Sequence, residues 1–475
     1  MNYGFLNKEN TGRLIIIFAG WSTGPDFYRH IHVEGWDTLV VYGYNDFDFP
    51  GGILDGYHTI VLFAWSLGVY MASKTIPTDR VALAVAVNGT THPVDDSLGI
   101  PEKIFSGTAA TLNPRNLLKF RRRMCAEKFD TVVEKFDSVT EKFDSDDLRG
   151  QLEFIMEVSK MPDSQPMNSN EVLTPFRWHR AYISDSDTIF PPQAQQRAWE
   201  EHASKPEIVH LDAPHYVDLH RIIVSAVPAK ESIGKRFHKA LATYDKQAVA
   251  QRAIARRLVD FPGGVTVRPA KVLEIGVGSG IFTKLFADRF HPDHIDYVDL
   301  YPLPNFGHAP EERYFTEDAE EHVAALACGE EQRYDAVVSA SALQWFANPE
   351  LFFRNVAAIL RPGGFLLCST FLPGNLGEMQ TANPYGLIYR PIEELEEMLR
   401  KHFLFTKLEE ETLIMDFASP LETMRHLKET GVGGGIDTGR SPRQLLETIP
   451  LRLTYRPLYI YAVKAPYLKP ENHDN

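Results

Sequence analysis

The chain has little cysteine and lacks long apolar runs, and both absences narrow what it can be. Its 475 residues include only three cysteines, at scattered positions that fit no disulfide framework and no metal or redox spacing: Cys125, Cys328 and Cys368. No apolar run approaches the roughly 18 residues of a transmembrane helix. The first residues also lack the basic and apolar segments of a secretory signal. We therefore expect a cytoplasmic protein with no membrane association and no bound metal.

Positive charge is also scarce. The 63 acidic and 49 basic residues give a formal net charge of −14, which argues against the extended basic surface that nucleic-acid binding needs. An acidic partner could be attracted only by local basic patches. The strongest such patch is residues 119–123, KFRRR. It is either a solvated helix face or a partner surface.

The length and the apolar pattern predict an α/β protein of two domains, residues 1–225 and 235–475. Short continuous apolar runs are typical of parallel strands buried on both faces. In the first part they occupy residues 14–18, 38–42, 60–64, 81–87, 181–183 and 208–211. In the second they occupy residues 271–275, 295–298, 334–339 and 364–370. Segments of helix length separate these runs, which predicts doubly wound sheets.

A mostly helical insertion is predicted at about residues 97–175. Within it, the tetrapeptide EKFD recurs at a seven-residue step, at residues 127–130, 134–137 and 141–144. Phe129, Phe136 and Phe143 would share one stripe of a helix. The repeat is either a helix lengthened by duplication or a lid surface that binds a partner.

The first motif with catalytic potential is a strand that runs into a sharp turn at Ser66, within the sequence AWSLG at residues 64–68. A nucleophile elbow places its serine on such a turn, with small neighbours where strand and helix approach. Ala64 stands where this motif usually has glycine, so an ordinary buried turn is the alternative. After the first apolar strand, FAGW at residues 18–21 could supply an oxyanion hole from the backbone N–H groups of Trp21 and Leu67.

An acid and a histidine should follow Ser66 in that order. The segment after the run at 181–183 offers Asp185 and Asp187, and we favour Asp187 because its spacing to Pro191 resembles the acid loop of α/β-hydrolases. His215 follows the last apolar run and would take the proton of Ser66, while the acid orients the imidazolium. We therefore predict an N-terminal α/β-hydrolase with a helical lid insertion.

The second motif is an acid followed by a glycine turn, EIGVGSG at residues 274–280. A dinucleotide fingerprint requires a third glycine where Ile281 stands, so a nicotinamide-binding domain is the weaker alternative. The pattern resembles that of class I, Rossmann-like methyltransferases that use S-adenosylmethionine. By that resemblance Glu274, Gly276, Gly278 and Gly280 form the turn that approaches the methionine part of the cofactor.

Two later acids complete this cofactor pattern. Asp299 ends the next apolar strand and would accept the ribose hydroxyls. Asp318, within the sequence EDA at residues 317–319, would bind the adenine amino group. The three signals together predict a C-terminal methyltransferase domain.

Further motifs in the second domain resemble the malonyl-[acyl-carrier protein] O-methyltransferases of biotin synthesis, the BioC family. They lie at residues 236–240, 244–245, 341–345, 360–364, 372–374 and 424–428. The resemblance implies that Tyr244 closes over S-adenosylmethionine and that Gln344 and Trp345 line the methyl-transfer pocket. It also implies an arginine for the malonyl carboxylate, Arg390 or Arg425.

The first domain resembles the BioG type of pimeloyl-[acyl-carrier protein] methyl ester esterase. The resemblance rests on residues 18–21, 64–68 and 88–90. Together the two resemblances imply a bifunctional biotin-synthesis enzyme whose partner is acyl carrier protein carrying malonyl or pimeloyl methyl ester groups. We expect that partner at Arg121–Arg123 on the lid and at Arg252, Arg256 and Arg257.

Two other functions fit the same motifs. One is a small-acid methyltransferase joined to a thioesterase or lipase-like hydrolase. The other is a methyltransferase whose first domain is an inactive docking module for carrier protein.

Overall fold

The computed structural model describes residues 1–132, 145–161, 175–263, 268–329, 332–431 and 442–466, without the side chains of residues 240–247. The chain divides into two compact units, Met1–Val224 and Ser225–Asn475. Among the described residues, no helix is long and apolar enough to cross a membrane. In the same residues, no group of three or more His, Cys, Asp or Glu side chains could hold a metal ion.

The first unit is built on a seven-stranded sheet with the strand order β1-β3-β2-β4-β5-β6-β7. Strand β1 is antiparallel to β3, and all other neighbours are parallel. Every residue of β4 and β5 is buried, as expected for strands covered on both faces. The strands are β1 (Asn2–Asn7), β2 (Arg13–Phe18), β3 (Asp37–Tyr42), β4 (Thr59–Trp65), β5 (Leu83–Val87), β6 (Arg180–Ser184) and β7 (Glu207–Leu211).

Helices follow or connect these strands. They are α1 (Gly68–Thr75), α2 (Glu102–Ala110), α3 (Pro114–Cys125), α4 (Ser145–Val158), α5 (Pro192–Glu201) and α6 (Leu219–Ala226). Helices α2, α3 and α4 fall within residues 97–175, where we predict a helical insertion. Of the repeated phenylalanines, Phe129 is buried, whereas Phe136 and Phe143 lie outside the described residues.

The second unit contains a seven-stranded sheet with the order β10-β9-β8-β11-β12-β16-β13. The strands from β10 to β12 are parallel, and β16 is antiparallel to both β12 and β13. A separate antiparallel pair joins β14 to β15. The strands are β8 (Lys271–Ile275), β9 (His294–Asp299), β10 (Glu311–Thr316), β11 (Tyr334–Ser339), β12 (Leu360–Phe371), β13 (Phe405–Glu410), β14 (Leu413–Asp416), β15 (Arg452–Tyr455) and β16 (Pro457–Val463).

The helices of the second unit alternate with its parallel strands. They are α7 (Lys230–Gln247), α8 (Val249–Asp260), α9 (Ile281–Phe290), α10 (Ala319–Cys328), α11 (Pro349–Ile359), α12 (Ile392–Arg400), α13 (Pro420–Glu429) and α14 (Pro442–Thr448). In each unit the carboxyl ends of the parallel strands meet at one edge of the sheet. In each unit, that edge carries one of the two sites described next.

Candidate active sites

Ser66 occupies a strained turn between β4 and α1. Its φ of 58° lies in the left-handed region, which a serine adopts at a cost of about 1–3 kcal/mol. Two glycines permit the turn: a Cβ on Gly68 would lie 2.5 Å from the carbonyl oxygen of Phe18, and one on Gly89 would lie 2.2 Å from that of Ser66. The sharp turn therefore depends on close backbone contacts that only glycine allows.

Ser66, His215 and Asp187 form a continuous hydrogen-bonded chain. The Oγ of Ser66 lies 2.9 Å from Nε2 of His215, and Nδ1 of His215 lies 2.7 Å from Oδ2 of Asp187. All three residues are buried, with exposed fractions of 6%, 1% and 5% respectively. A buried histidine held between a carboxylate and a hydroxyl can remove the proton of the hydroxyl.

Neighbouring groups fix the acid in place. Oδ1 of Asp187 accepts hydrogen bonds from the backbone N–H groups of Ile189 and Phe190, both at 2.8 Å. The amide of Gln195 donates to its Oδ2 at 3.2 Å. These donors stabilise the ionised carboxylate inside the protein.

The histidine is fixed through its own backbone. Its carbonyl accepts hydrogen bonds from Nδ2 of Asn88, at 2.8 Å, and from Nε1 of Trp65, at 3.1 Å. The sequence analysis did not single out Asn88, Trp65 or Gln195 for these contacts. The position of Asn88 could have indicated this role, because Asn88 directly follows β5 at the sheet edge that carries Ser66.

The two acids of the predicted acid loop have different partners. Asp185 lies 2.6 Å from Nδ1 of His210, and both side chains are about half exposed. The structure thus brings Asp187, and not Asp185, to His215.

A cavity of about 40 Å³ lies beside Ser66 and His215, and Trp21 and Leu67 line it with them. The rest of its wall is mostly apolar and comes largely from the helical insertion: Ile100, Ile104, Phe105, Thr108, Phe120, Arg123, Met124 and Leu152. Such a wall suits an apolar acyl chain next to the serine.

The predicted arginine surface is only partly exposed. Arg121 is 4% exposed and donates from Nη2 to the carbonyl of Ser22 at 3.3 Å. Arg122 and Arg123 are exposed, and their guanidinium groups lie over the rings of Phe129 and Phe120. Arg121 is therefore a buried structural residue, and only its two neighbours remain available to a partner.

In the second unit, the turn after β8 is built from glycines with positive φ. The φ angles of Gly276, Gly278 and Gly280 are 66°, 61° and 83°. A Cβ on Gly276 would lie 2.5 Å from Cβ of Ala342, and one on Gly280 would lie 2.6 Å from the ring of Phe306. A side chain at Gly276 or Gly280 would collide with its neighbours, so the turn depends on glycine at these two positions.

Asp299 lies at the end of β9 and faces this turn. Its Oδ2 accepts a hydrogen bond from the backbone N–H of Gly278 at 3.0 Å. Burial raises the pKa of its carboxyl to about 6, while backbone N–H groups oppose the rise. Its position on the wall of the adjoining cavity suits it to accept ligand hydroxyls.

Glu274 is buried more deeply than Asp299. It is 2% exposed and accepts a hydrogen bond from Oγ1 of Thr283 at 2.8 Å. Burial, with a smaller effect from the charge of Asp299, raises the pKa of Glu274 to about 8. It is not among the residues that line the cavity, so it supports the turn from behind.

The cavity has a volume of about 130 Å³. Among the predicted residues, Gly276, Gly278, Asp299, Asp318 and Trp345 line it, whereas Gly280 and Gln344 do not. The side chain of Gln344 donates to the Ser341 carbonyl at 2.5 Å. The side chain of Tyr244 lies outside the described residues.

Asp318 caps helix α10, where its side chain accepts a hydrogen bond from the N–H of Glu320 at 3.0 Å. Lys230 holds both acids: its Nζ lies 3.5 Å from Asp318 and 2.8 Å from Glu320. Lys230 begins α7 and lines the cavity with Ile233, Gly234 and Phe237. The sequence analysis did not predict that α7 contributes to the cavity wall. These four residues nevertheless lie at positions i, i+3, i+4 and i+7, a spacing that places them on one face of a helix.

The acids and the glycine turn fit S-adenosylmethionine. A backbone without Cβ atoms accommodates the methionine part, and Asp299 can accept hydrogen bonds from two ribose hydroxyls. The Asp318 carboxylate can accept one from the adenine amino group. These are the donor and acceptor types that the cofactor requires.

The chain is 32% identical over 478 aligned residues to the malonyl-[acyl-carrier protein] O-methyltransferase of Bacteroides fragilis, an alignment that covers 95% of this chain and 92% of the relative. The chain belongs to that family. The relative from Bacteroides thetaiotaomicron with the same description is 33% identical, over 50% of this chain and 98% of its own length.

The two halves match different family models. Residues 1–223 match the model for the pimeloyl-ACP methyl esterase BioG, and residues 245–409 match a methyltransferase domain model. The crystal structure of BioG from Haemophilus influenzae is 32% identical, covers 46% of this chain and 94% of its own, and has a TM-score of 0.38. The two family models and the relative from Bacteroides fragilis confirm both resemblances. The C-terminal unit has the Rossmann-like methyltransferase fold, and S-adenosylmethionine is the methyl donor.

Proposed function

We propose that this chain is a bifunctional enzyme of biotin synthesis. Its C-terminal unit transfers a methyl group to the free carboxylate of malonyl-[acyl-carrier protein]. Its N-terminal unit, an α/β-hydrolase with a helical lid, hydrolyses pimeloyl-[acyl-carrier protein] methyl ester to the free acid and methanol. The observation that carries the proposal is the hydrogen-bonded chain of Ser66, His215 and Asp187 in a unit that matches the BioG model.

In the proposed hydrolysis, Ser66 attacks the ester carbonyl while Nε2 of His215 takes the hydroxyl proton. His215 then gives this proton to the departing methanol, and Asp187 stabilises the imidazolium in between. Water activated by His215 cleaves the acyl-enzyme in the same way and releases the carboxylate. The backbone N–H groups of Trp21 and Leu67 are the proposed oxyanion donors.

Methyl transfer places different demands on the protein. When bound, S-adenosylmethionine supplies a methyl group on a positively charged sulfur. The acceptor carboxylate is already ionised at neutral pH, so no residue has to act as a base. The glycine turn, Asp299, Asp318 and the wall near Trp345 then have to hold the reactants in line and exclude water.

The pairing of the two activities has a chemical reason. A free carboxylate is costly to bury in the apolar sites that extend acyl chains. Methylation removes that charge, and hydrolysis restores it once the chain has grown. The two reactions therefore protect and then release the same end of the acyl group.

The apolar cavity gives the hydrolase a basis for choosing the long ester over the short one. Pimeloyl has four more methylene groups than malonyl. At about 0.8 kcal/mol per buried methylene, they would contribute roughly 3 kcal/mol in favour of the longer chain. Ile104, Phe105 and Phe120 are among the side chains that would contact it.

Acyl carrier protein is the proposed partner of both units, and it is acidic. Arg122 and Arg123 are exposed on α3, and Arg123 also lines the cavity of Ser66. On the second unit, Arg256 and Arg257 are exposed on α8, although Arg257 pairs with Glu409. Their contacts would depend on ionic strength.

The test uses the full-length protein with labelled S-adenosylmethionine and malonyl-[acyl-carrier protein], followed by pimeloyl-[acyl-carrier protein] methyl ester. Wild type should label the first substrate and hydrolyse the second. Ser66→Ala should retain labelling and lose hydrolysis by about 10⁵-fold or more. Ser73→Ala, which removes a hydroxyl from α1 that donates to the Tyr70 carbonyl, should keep both activities.

Two results would favour the alternatives. Transfer to free small acids but not to the carrier-bound acid would indicate a small-acid methyltransferase. Methylation without hydrolysis, and without labelling of Ser66 by a fluorophosphonate, would indicate a docking module.

A further inference from the structure

Arg236 lies in α7, between the residues of that helix that line the cofactor cavity. Gly234 and Phe237 belong to the cavity wall on either side of it in sequence. The guanidinium of Arg236 lies over the ring of Trp345, 5.5 Å from the ring centroid. Trp345 itself lines the cavity and meets Phe237 edge to face. Arg236 thus contacts a residue of the cavity wall, Trp345, although it does not itself line the cavity.

The guanidinium has donors without acceptors. Its Nε and Nη2 atoms are buried and make no hydrogen bond in the described part of the chain. Burial lowers the pKa of Arg236. Arg236 is half-buried as a residue. Burying two donors of a cation without an acceptor is unfavourable, and an anionic ligand could offset this cost.

The other cations considered for this role are already engaged or distant from the cavity. Arg390, one of the two arginines expected from the family resemblance, donates to Glu394 at 2.8 Å. Arg425 is exposed on α13, and neither arginine lines the cavity. Lys230 is paired with Asp318 and Glu320.

We propose that Arg236 binds the carboxylate of the acyl substrate and orients it for methyl transfer; this inference rests on the proposed methyltransferase function. Nε and Nη2 form the side of the guanidinium that matches the two oxygens of a carboxylate. Stacking on Trp345 fixes the plane of that fork. Each carboxylate oxygen that accepts a hydrogen bond from Arg236 keeps a second lone pair, which can attack the methyl carbon.

The charge balance of the reaction explains why this contact would serve turnover. An oxygen–carbon bond to the methyl group forms as the carbon–sulfur bond breaks, and the sulfur keeps the electron pair. The anionic carboxylate and the cationic sulfonium become a neutral ester and a neutral thioether, and no proton moves. Arg236 would then lose its ionic partner, so the ester should leave more readily than the acid.

The experiment compares wild type, Arg236→Gln, Arg236→Lys and Lys235→Gln in the full-length chain. Lys235→Gln is the matched control, because it removes a cation from the same helix at an exposed position paired with Glu231. For Arg236→Gln we expect the KM for malonyl-[acyl-carrier protein] to rise about 10- to 100-fold, the range for a lost charged hydrogen bond. The affinity for S-adenosylmethionine should change less than about twofold, and Arg236→Lys should recover part of the loss, since lysine keeps the charge but not the fork.

A second measurement uses acetyl-[acyl-carrier protein], which lacks the carboxylate, as a competitor. Wild type should prefer the malonyl form, and Arg236→Gln should lose most of that preference. If wild type labels malonyl-[acyl-carrier protein] and Arg236→Gln keeps the same KM and preference, the inference is wrong and the proposed function stands. An equal loss of cofactor affinity would assign Arg236 to the cofactor and also overturn it. If wild type labels no malonyl-[acyl-carrier protein], the proposed function fails and the inference fails with it.

Discussion

The two sites differ in how they are built. The serine site is an assembly of side chains that already contact one another: Ser66, His215 and Asp187 are joined by hydrogen bonds of 2.9 and 2.7 Å. The glycine-turn site is instead a cavity of about 130 Å³, which the turn lines together with side chains from several other elements. An enzyme that makes its own nucleophile needs aligned side chains, whereas one that uses a bound reagent needs a shaped cavity.

The two sites also differ in how well the protein stabilises their ionised carboxyl groups. The carboxylate of Asp187 receives three donors from its surroundings in addition to His215. At the glycine turn, burial raises the pKa of Asp299 to about 6 and that of Glu274 to about 8. The first site is thus stabilised as it stands, and the second carries buried acids whose ionisation costs free energy.

The largest effect should separate the two acids of the serine site. Asp187→Asn keeps the shape but no longer holds the histidine in the correct tautomer, so ester hydrolysis should fall about 10⁴-fold. Asp185→Asn removes an acid two residues away that pairs with the half-exposed His210, and hydrolysis should stay within about twofold of wild type. Rates on pimeloyl-[acyl-carrier protein] methyl ester measure both variants. Similar losses in the two would contradict the assignment of Asp187.

The second effect concerns the backbone of the glycine turn. Gly276→Ala places a Cβ 2.5 Å from that of Ala342 at a φ of 66°, which only glycine adopts easily. Cofactor affinity should fall about 10- to 100-fold, as expected for 1–3 kcal/mol of strain, while hydrolysis is unchanged. Calorimetric titration with S-adenosylmethionine measures this loss. In the control Gly386→Ala, the new Cβ meets no atom within 4 Å and affinity should persist.

A third effect is a pH dependence found at the glycine turn alone. The ionised form of Asp299 should accept the ribose hydroxyls, and its carboxyl has a pKa of about 6. As the pH falls below 6, a proton must be released for the cofactor to bind, so the dissociation constant should rise about tenfold per pH unit. The Asp299→Asn variant should bind S-adenosylmethionine weakly, and its dissociation constant should not show this dependence on pH. Titrations between pH 5 and 8 test this, and a slope that survives the substitution would assign the pH dependence to another group.

The smallest effect should appear in stability. The pKa of Glu274 is raised from its usual 4.5 to about 8 in the folded chain. Between these values the folded state binds more protons than the unfolded state, so the free energy of unfolding falls as the pH rises. Glu274→Gln removes this dependence and should raise the melting temperature by a few degrees at pH 8 and by less at pH 5.

Thermal unfolding of the cofactor-free protein measures that difference. Glu393→Gln, at an exposed position of α12, should show no pH-dependent gain. A gain that is equal at pH 5 and pH 8 would mean that Glu274 is not the titrating group.

Much of the serine site could be predicted because chain order and sheet topology are linked. Ser66, Asp187 and His215 follow the parallel strands β4, β6 and β7, and the carboxyl ends of parallel strands meet at one edge. The strands that escaped prediction are of two kinds: β16 has an apolar run that the sequence analysis did not assign, whereas β10 has none. Residues in β10 are exposed or half-buried, because it is an edge strand of its sheet.

Side-chain exposure was less predictable. The sequence places Arg121, Arg122 and Arg123 in one basic run, but α3 turns Arg121 into the protein, where it donates to the Ser22 carbonyl. Helix periodicity separates neighbours in sequence by about 100°. A basic run on a helix therefore does not define a basic surface until its buried face is known.

The sequence by itself determined the two α/β units, the serine turn, the glycine turn and the cofactor class, since these depend on strand order and on local backbone requirements. Only the tertiary structure decided which acid meets His215 and that α7 covers the cofactor cavity. It also placed Arg236 above Trp345, with Nε and Nη2 making no hydrogen bond to the described residues. Those outcomes depend on contacts between segments distant in the chain, whose side-chain directions no local pattern specifies.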